Sequence, residues 1–457
     1  MSKYSILSKS YDLRGIYGQD IDEDFYFKLG YAFAKVSGKN VIALGYDARL
    51  SSPSLKNSFS SGVNLFGSKI IDLGLCSSDM LSFATCYYND IEAGVMITAS
   101  HNPKEYNGMK CLNHFGEPYN LKKYGPKMIE IMEKIDVLNF EVKPNIENRD
   151  VSDDFVNHII NFVGKDINFS KYKIVADGGN GVAGVFMGKL AEKIGCKLIP
   201  LFLEPDGNFP HHHPNPMLEK NREFAKKALL ENKADLAFIF DGDADRIMIL
   251  DDKAEVITSG IISSIIAEKL SKKYDKVGFI GNAVISHIFK DTVEDFGGFY
   301  EKEMVGHVYI REHMMKNKDI VFAGEHSAHY FFRDNFYMDS GIMAGMVFLS
   351  EVISSGKKVN ALVKDFEKYI TLEETNFEVA DPKLAIEKLA QIYKDNNPDF
   401  FDGITVEYTD GSWWNFRPSS NEPLLRLNLE AKTKERFDEL YSEIMEHIKS
   451  FGKGSNN

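Results

Sequence analysis

Short apolar runs rich in β-branched and aromatic residues punctuate the chain, and each ends in a loop of Gly, Asp, Ser or Asn before a helical pattern begins. They are Val41 to Leu44 before GYDAR, Gly94 to Ile97 before TASHNP, Lys173 to Ala176 before DGGNGVAG, Leu236 to Phe240 before DGDADR, and Val277 to Ile280 before GNAVIS. A strand, a loop and then a helix, repeated, predicts α/β layers. In such layers ligands gather at the loops on the carboxyl ends of the strands, so function is to be sought there.

At 457 residues the chain exceeds what one hydrophobic core supports, and its length suggests about three domains while tolerating four. The charged stretch KPNIENRDVSDD, the DDKAE turn and a change of pattern after Gly356 divide it into 1–150, 151–252, 253–365 and 366–457. The last is expected to be a smaller α+β unit, opened by a helical run around Ala361 to Tyr369, and the polar tail GKGSNN is expected to fray. We find no repeat of fixed short period. Lysine and arginine total 54 against 67 acidic residues, a net charge of −13 that repels a nucleic-acid backbone in the absence of a basic stripe, so no nucleic-acid partner is expected. No run of about 18 apolar residues could span a bilayer, and MSKYSILSKSYDLRG lacks the apolar stretch of a signal peptide, so no membrane partner and a cytoplasmic location are expected. The separated Cys76, Cys86, Cys111 and Cys196 read as reduced structural thiols. Monomer and homodimer are both compatible with the sequence.

Four loops carry chemistry. In TASHNPKEYNGMK, Ser100 sits at a strand end beside His101, where it either acts as a nucleophile or phosphate carrier or simply makes an Asn-Pro turn. In FDGDADR, Asp241, Asp243 and Asp245 crowd behind a core strand. Mutual repulsion favours a hard divalent cation between them over a solvated acidic turn. An EF-hand is disfavoured because its sixth position, Gly, is here Arg246. In GEHSAHY, Glu325 and Ser327 can bond neighbouring sugar hydroxyls and His329 either moves a proton or is a core histidine. NFRPSSNEP offers Arg417, Ser419, Ser420 and Asn421 as a donor-rich nest for phosphate, or as a turn with a surface arginine.

Together these loops resemble the α-D-phosphohexomutase superfamily, the phosphomannomutases and phosphoglucomutases of bacterial type, from YDLRG almost to the end of the chain and in the family's order. The resemblance implies three similar mixed α/β/α domains and a smaller C-terminal α+β domain around a central cleft. It implies that Ser100 carries a phosphoryl group and, with Asp241, Asp243 and Asp245, holds Mg2+. His101, Lys110 and Arg246 match positions around that group, with Lys110 a candidate for proton transfer, and Arg14 is a further basic contact. Glu325 and Ser327 match the sugar loop. His307 and His329 match histidines near the sugar, while Arg417, Ser419, Ser420 and Asn421 match the loop that holds the phosphate not being transferred.

The implied cycle passes from a hexose monophosphate through a bound hexose 1,6-bisphosphate, which also serves as activator, inside a cleft closed by the C-terminal domain. Mannose or glucose phosphate is the expected substrate, and a phosphoglucosamine mutase is the alternative. The phosphate loop departs from the family's Arg-x-Ser-Asn-Thr-Glu-Pro, its hydroxyl and amide positions being exchanged. More distant rivals are a phosphomonoesterase, a sugar-phosphate-binding protein, and a nicotinamide-dependent oxidoreductase suggested by Gly179, Gly181 and Gly184 in GxGxxG spacing with Glu204 about twenty residues further. His211, His212 and His213 read as a rigid structural loop rather than a zinc site, and Trp413 and Trp414 as packing.

Overall fold

The computed structural model describes residues 2–135, 143–274, 276–418 and 424–451. Four sheets follow one another along the chain. The first holds β1 (Leu13–Ile16), β2 (Val41–Tyr46), β3 (Lys69–Leu75), β4 (Ala93–Ile97), β5 (Tyr106–Asn113) and β6 (Ile146–Asn148), in the order β1-β5-β4-β2-β3-β6. The second holds β7 (Lys173–Asp177), β8 (Lys197–Leu201), β9 (Leu236–Phe240), β10 (Ile247–Leu250) and β11 (Val256–Ile257), in the order β11-β10-β9-β7-β8. The third holds β12 (Gly278–Asn282), β13 (Phe299–Glu303), β14 (Ile320–Gly324), β15 (Tyr330–Phe332) and β16 (Met338–Asp339), in the order β13-β12-β14-β15-β16.

These three sheets share one plan. In each, two parallel strands joined through a helix lie beside a third parallel strand that is buried along its whole length: β4, β9 and β14. Burial on both faces explains why AGVMI, LAFIF and IVFAG are unbroken apolar runs rather than alternating ones. Each buried strand then reverses into an antiparallel neighbour, β5, β10 or β15. The three reversals are the loops TASHNPKE, DGDADR and EHSAH, so one topology presents three chemically different loops at equivalent places.

The fourth sheet, β17 (Ile370–Glu378), β18 (Ile404–Glu407), β19 (Trp413–Pro418) and β20 (Leu424–Ala431), is antiparallel throughout, in the order β17-β20-β19-β18. Helices Pro382–Ile392 and Lys434–Ser450 close its core. The helical run expected up to Tyr369 is shorter: a helix at Val359–Val363 and a 3-10 turn at Lys364–Phe366, because the chain must extend into β17.

Packing divides the molecule differently from the sheets. One apolar core runs through all three α/β layers by way of the helices Ser78–Tyr87, Ser152–Val163 and Gly341–Ser355. The fourth unit keeps a core of its own and meets the third layer through polar groups. The carboxylate of the fully buried Glu430 accepts from Ser286 Oγ, from His287 N at 2.9 Å, from Thr371 Oγ at 2.8 Å and from Trp413 Nε1 at 2.8 Å. Trp413 and Trp414 are both buried in packing. No helix among the described residues is long and apolar enough to cross a membrane.

Candidate active site

Ser100 lies at the tip of the first reversal, 2% exposed, with φ of +50°. Its N–H donates to Thr98 Oγ at 2.8 Å, and Thr98 Oγ donates in turn to Asp47 at 2.8 Å. The equivalent tips of the second and third reversals, Ala244 and Ala328, also take left-handed backbone, with φ of +60° and +66°. L residues with side chains are uncommon there and cluster at functional sites.

The Ser100 hydroxyl reaches across to the second layer and donates to Asp241 Oδ2 at 2.8 Å. Asp241, Asp243 and Asp245 are buried, and each offers a carboxylate oxygen within 4.8 Å of the others. Burial, and then Asp243 and Asp245, push Asp241 well above the usual carboxylate range. Burial would raise Asp243 and Asp245 too, but the Lys110 ammonium holds both below that range, helped at Asp245 by His329. Lys110 Nζ donates to Asp243 Oδ2 at 2.7 Å and to Asp245 Oδ2. Although burial would lower it, the same two carboxylates raise Lys110.

Asp243 Oδ1 and Asp245 Oδ1 remain buried without a hydrogen-bond partner. An acceptor out of water with nothing to accept is costly, and a hard cation satisfies both. The residues therefore fit a divalent ion. Ser78, at the N-terminus of Ser78–Tyr87, donates its hydroxyl to Asp243 Oδ2 at 2.6 Å, adding the positive end of a helix to the site. Next to it, burial, with Asp245 and Asp339 near, pushes Asp79 up to about 7 even though Ser77 and Ser340 donate to it.

The Gly-rich stretch of the second layer supplies room. A Cβ on Gly242 would stand 2.6 Å from the Ser100 carbonyl oxygen, and one on Gly181 would stand 2.6 Å from the Gly242 carbonyl oxygen. Two glycines thus let three backbones stack, and the GxGxxG spacing serves close approach of the metal loop. The histidine triplet buttresses this stretch. His211 Nδ1 is 2.7 Å from Asn180 Oδ1, and His212 Nε2 is 3.1 Å from Asp177, which also accepts from Gly179 N at 2.9 Å.

The third reversal closes over the same centre. Glu325 accepts from Gly306 N at 3.0 Å and lies 3.1 Å from His329 Nδ1, near which Ser327 Oγ also sits, at 3.0 Å. Burial would raise Glu325, yet His329 and the Gly306 N–H hold it at about 2. On its other edge His329 Nε2 is 3.6 Å from Asp245 and 3.1 Å from Arg246 Nε. Burial and Arg246 would lower His329, but Asp245 and Glu325 outweigh them and raise it to about 9. His329 thus bridges the loop of Glu325 and the loop of Asp245, its Nε2 accepting from Arg246 Nε. His101, whose Nδ1 lies 3.3 Å from Ser100 Oγ, goes the other way: burial and then Arg246 and Arg14 lower it well below the ordinary histidine value.

Arg14 and His307 meet at Asp12, 3.4 Å and 3.3 Å from its carboxylate, and His307 packs edge-on against Tyr11 with ring centres 5.1 Å apart. Burial would raise Asp12, but His307 and Arg14 hold it at about 2. Arg417 Nη2 donates to Glu374 at 3.3 Å. Glu374 also accepts from Arg426 at 3.2 Å and stands 3.2 Å from His326 of the sugar loop. Burial would raise Glu374, but His326 and the two guanidinium groups hold it below the usual range. Ser419, Ser420 and Asn421 lie outside the described residues, as does the GKGSNN tail.

The structure therefore joins Ser100, His101, Lys110, the three aspartates, Arg246, Glu325, Ser327 and His329 in one network. Arg14 and His307 share one partner beside it, and Arg417 is linked through Glu374 and His326. Sequence reasoning passed over Asp12, Arg49, Ser78, Asp79, Glu374 and Arg426. Only the loop position of GYDAR gave a signal for any of them.

Known proteins share this succession of four units. Family models of phosphoglucomutase/phosphomannomutase alpha/beta/alpha domains I, II and III match residues 5–137, 153–254 and 259–369, and the model of the C-terminal domain matches 374–447. A phosphomannomutase of Methanocaldococcus jannaschii is 33% identical over 439 residues, covering 95% of this chain and 96% of its own. A Xanthomonas campestris protein named for phosphohexose mutases is 32% identical over 428 residues, covering 93% of this chain and 94% of its own. The crystal structure of a phosphoglucomutase/phosphomannomutase family protein from Burkholderia thailandensis superposes with a TM-score of 0.85 at 26% identity, covering 100% of both chains. The chain belongs to the phosphoglucomutase/phosphomannomutase family of the α-D-phosphohexomutase superfamily and is a phosphohexomutase.

Proposed function

We propose that the enzyme interconverts the 1- and 6-phosphates of mannose or glucose in the cytoplasm, with Ser100 as the phosphoryl carrier. One observation carries this reading: the Ser100 hydroxyl bonds directly to Asp241, at 2.8 Å, inside a buried carboxylate triad that retains two oxygens without a hydrogen bond. Asp241, Asp243 and Asp245, with the Ser100 oxygen, would hold Mg2+. When bound, the ion supplies positive charge that stabilises the negative charge on the transferring phosphoryl, the term that lowers the barrier most in such chemistry.

The chain's own groups do the rest. Lys110 and Arg246 offset negative charge around Ser100. His101, with Nδ1 3.3 Å from the Ser100 hydroxyl, and His329, between Glu325 and Asp245, are placed to exchange protons with the reacting oxygens. Glu325 and Ser327 grip adjacent sugar hydroxyls, and Arg417 with Ser419, Ser420 and Asn421 holds the phosphate that stays. A carrier that gives one phosphoryl group and takes back another leaves both sugar oxygens phosphorylated midway. Hexose 1,6-bisphosphate is then intermediate and activator at once, and its hydrolysis is avoided only if the cleft excludes water.

The name of the Methanocaldococcus relative supports mannose phosphate. The test is Ser100→Ala assayed with mannose, glucose and glucosamine 1-phosphates, each primed with the matching 1,6-bisphosphate. The variant should form no 6-phosphate and take no label from 32P-bisphosphate, and wild-type turnover by it overturns the assignment. Turnover by the wild-type enzyme of the glucosamine ester alone makes it a phosphoglucosamine mutase.

A further inference from the structure

Arg49 is wholly buried, its side chain 0% exposed, and every N–H of its guanidinium has an acceptor. Nη1 donates to the carbonyls of Pro103 at 2.5 Å and Tyr106 at 3.0 Å, and Nη2 donates to those of Ser100 at 2.8 Å and Asn102 at 2.7 Å. Nε donates to Asp47 Oδ2 at 3.0 Å. Asp47 Oδ1 accepts from Ser52 Oγ at 2.6 Å, while its Oδ2 also accepts from Thr98 Oγ at 2.8 Å, whose oxygen takes the Ser100 N–H. Phe209, from the second layer, lies with its ring centre 5.5 Å from the guanidinium carbon.

We propose that Arg49 is a positioning residue for phosphoryl transfer, setting the Ser100 turn so that its hydroxyl meets the carboxylate triad. This rests on the reading of Ser100 as the phosphoryl carrier. All four carbonyls that Arg49 collects come from one segment, the turn that carries Ser100, whereas a guanidinium buried for packing alone would draw acceptors from whatever surrounds it. The Asp47–Arg49 pair fixes both peptide groups of Ser100: the N–H through Thr98 and the carbonyl directly. It is this double hold that keeps a serine at φ of +50°, a conformation that persists only where the surroundings over-determine it.

The acceptors matter as well. Carbonyl oxygens repel phosphoryl oxygens, and Arg49 engages four of them as hydrogen-bond acceptors. Lysine carries the same charge on a compact ammonium with three donors, against five in the planar fork of arginine. Charge alone therefore cannot substitute for Arg49.

The experiment compares wild type, Arg49→Lys and Ser100→Ala as full-length proteins, each incubated with Mg2+ and 32P-labelled glucose 1,6-bisphosphate and then assayed with glucose 1-phosphate. Arg49→Lys should lose about 100-fold in kcat, the penalty of misplacing a reacting group by about 1 Å. Its KM should stay within about threefold, because the sugar contacts lie on other loops. Wild-type kcat in Arg49→Lys, or a change confined to KM, overturns the inference while leaving Ser100 as carrier. Activity in Ser100→Ala overturns the carrier reading itself. Should Arg49→Lys not fold, Thr98→Val removes the N–H half of the same hold, and unchanged kcat there refutes the proposal while a loss of about tenfold with KM retained supports it.

Discussion

Gly242→Ala tests how tightly the reaction depends on the stacking of the Ser100 loop on the loop of Asp241, Asp243 and Asp245. The new methyl would stand 2.6 Å from the Ser100 carbonyl oxygen, where ordinary contact begins at 3.4 Å. Gly242 cannot retreat, since Gly181 already presses on its far side, a Cβ there falling 2.6 Å from the Gly242 carbonyl oxygen. The Ser100 turn must therefore yield by about 0.8 Å, the difference between those two contact distances. A shift of that size is enough to break the bond from Ser100 Oγ to Asp241, now 2.8 Å. Gly242 is not among the glycines with left-handed φ, so alanine adds no backbone strain of its own and the effect is one of packing. Overpacking of this kind destabilises a core by about 1–3 kcal/mol, which leaves a protein of this size folded. A misplacement near 1 Å lowers the rate about 100-fold. Steady-state kinetics with the primed sugar phosphate should show that loss in kcat, with KM within about threefold because Glu325, Ser327 and Arg417 are untouched. A Gly242→Ala enzyme that is labelled at Ser100 and turns over as fast as wild type refutes the reasoning.

His329 makes stability depend on pH. Its value rises from 6.5 to about 9 in the fold, so its contribution is whole below about pH 6.5 and disappears as pH climbs through about 9. Denaturant unfolding of metal-free enzyme across that interval should show the decline, and His329→Gln should flatten it; an unchanged slope refutes the bridge. Lys110→Met leaves Asp243 and Asp245 facing each other without their shared cation. Breaking such a buried pair costs about 3–5 kcal/mol, less here because Lys110 is partly exposed. Mg2+ should then raise the unfolding free energy of Lys110→Met by more than it raises that of wild type, and equal increments refute the carboxylates as its site.

The loops could be read because each follows an unbroken apolar strand, and burial on both faces leaves that mark in sequence. The three aspartates were legible as a candidate ion site from their spacing, and the fold gathers them in a buried cluster that Lys110 partly neutralises. The likeness of the first three layers was expected from the family resemblance and not from spacing or periodicity. Their reversals are unequally spaced along the chain, and the glycine, serine and histidine chemistry of their tips differs. Residues that act through other residues were also invisible. Arg49 and Glu374 look like surface charges until the fold gives them several partners each, and nothing in DLRG announces that Asp12 will unite Arg14 with His307. The Gly-rich stretch imitated a nucleotide loop because close backbone approach needs the same glycines whatever approaches.

The seam between the third layer and the C-terminal unit has a mechanical consequence. Hydrogen bonds and ion pairs carry it, among them Val305 N to Asp402 at 2.8 Å, Lys302 to Asp399 at 2.6 Å and His326 to Glu374. A bond of this kind, made to a charged group, nets only about 1.5–3 kcal/mol, because water takes over the contact when it parts. The same seam buries the Trp413 ring against His287, with ring centres 5.0 Å apart, so parting it would uncover one aromatic face, whereas parting the first three layers would break a continuous apolar core.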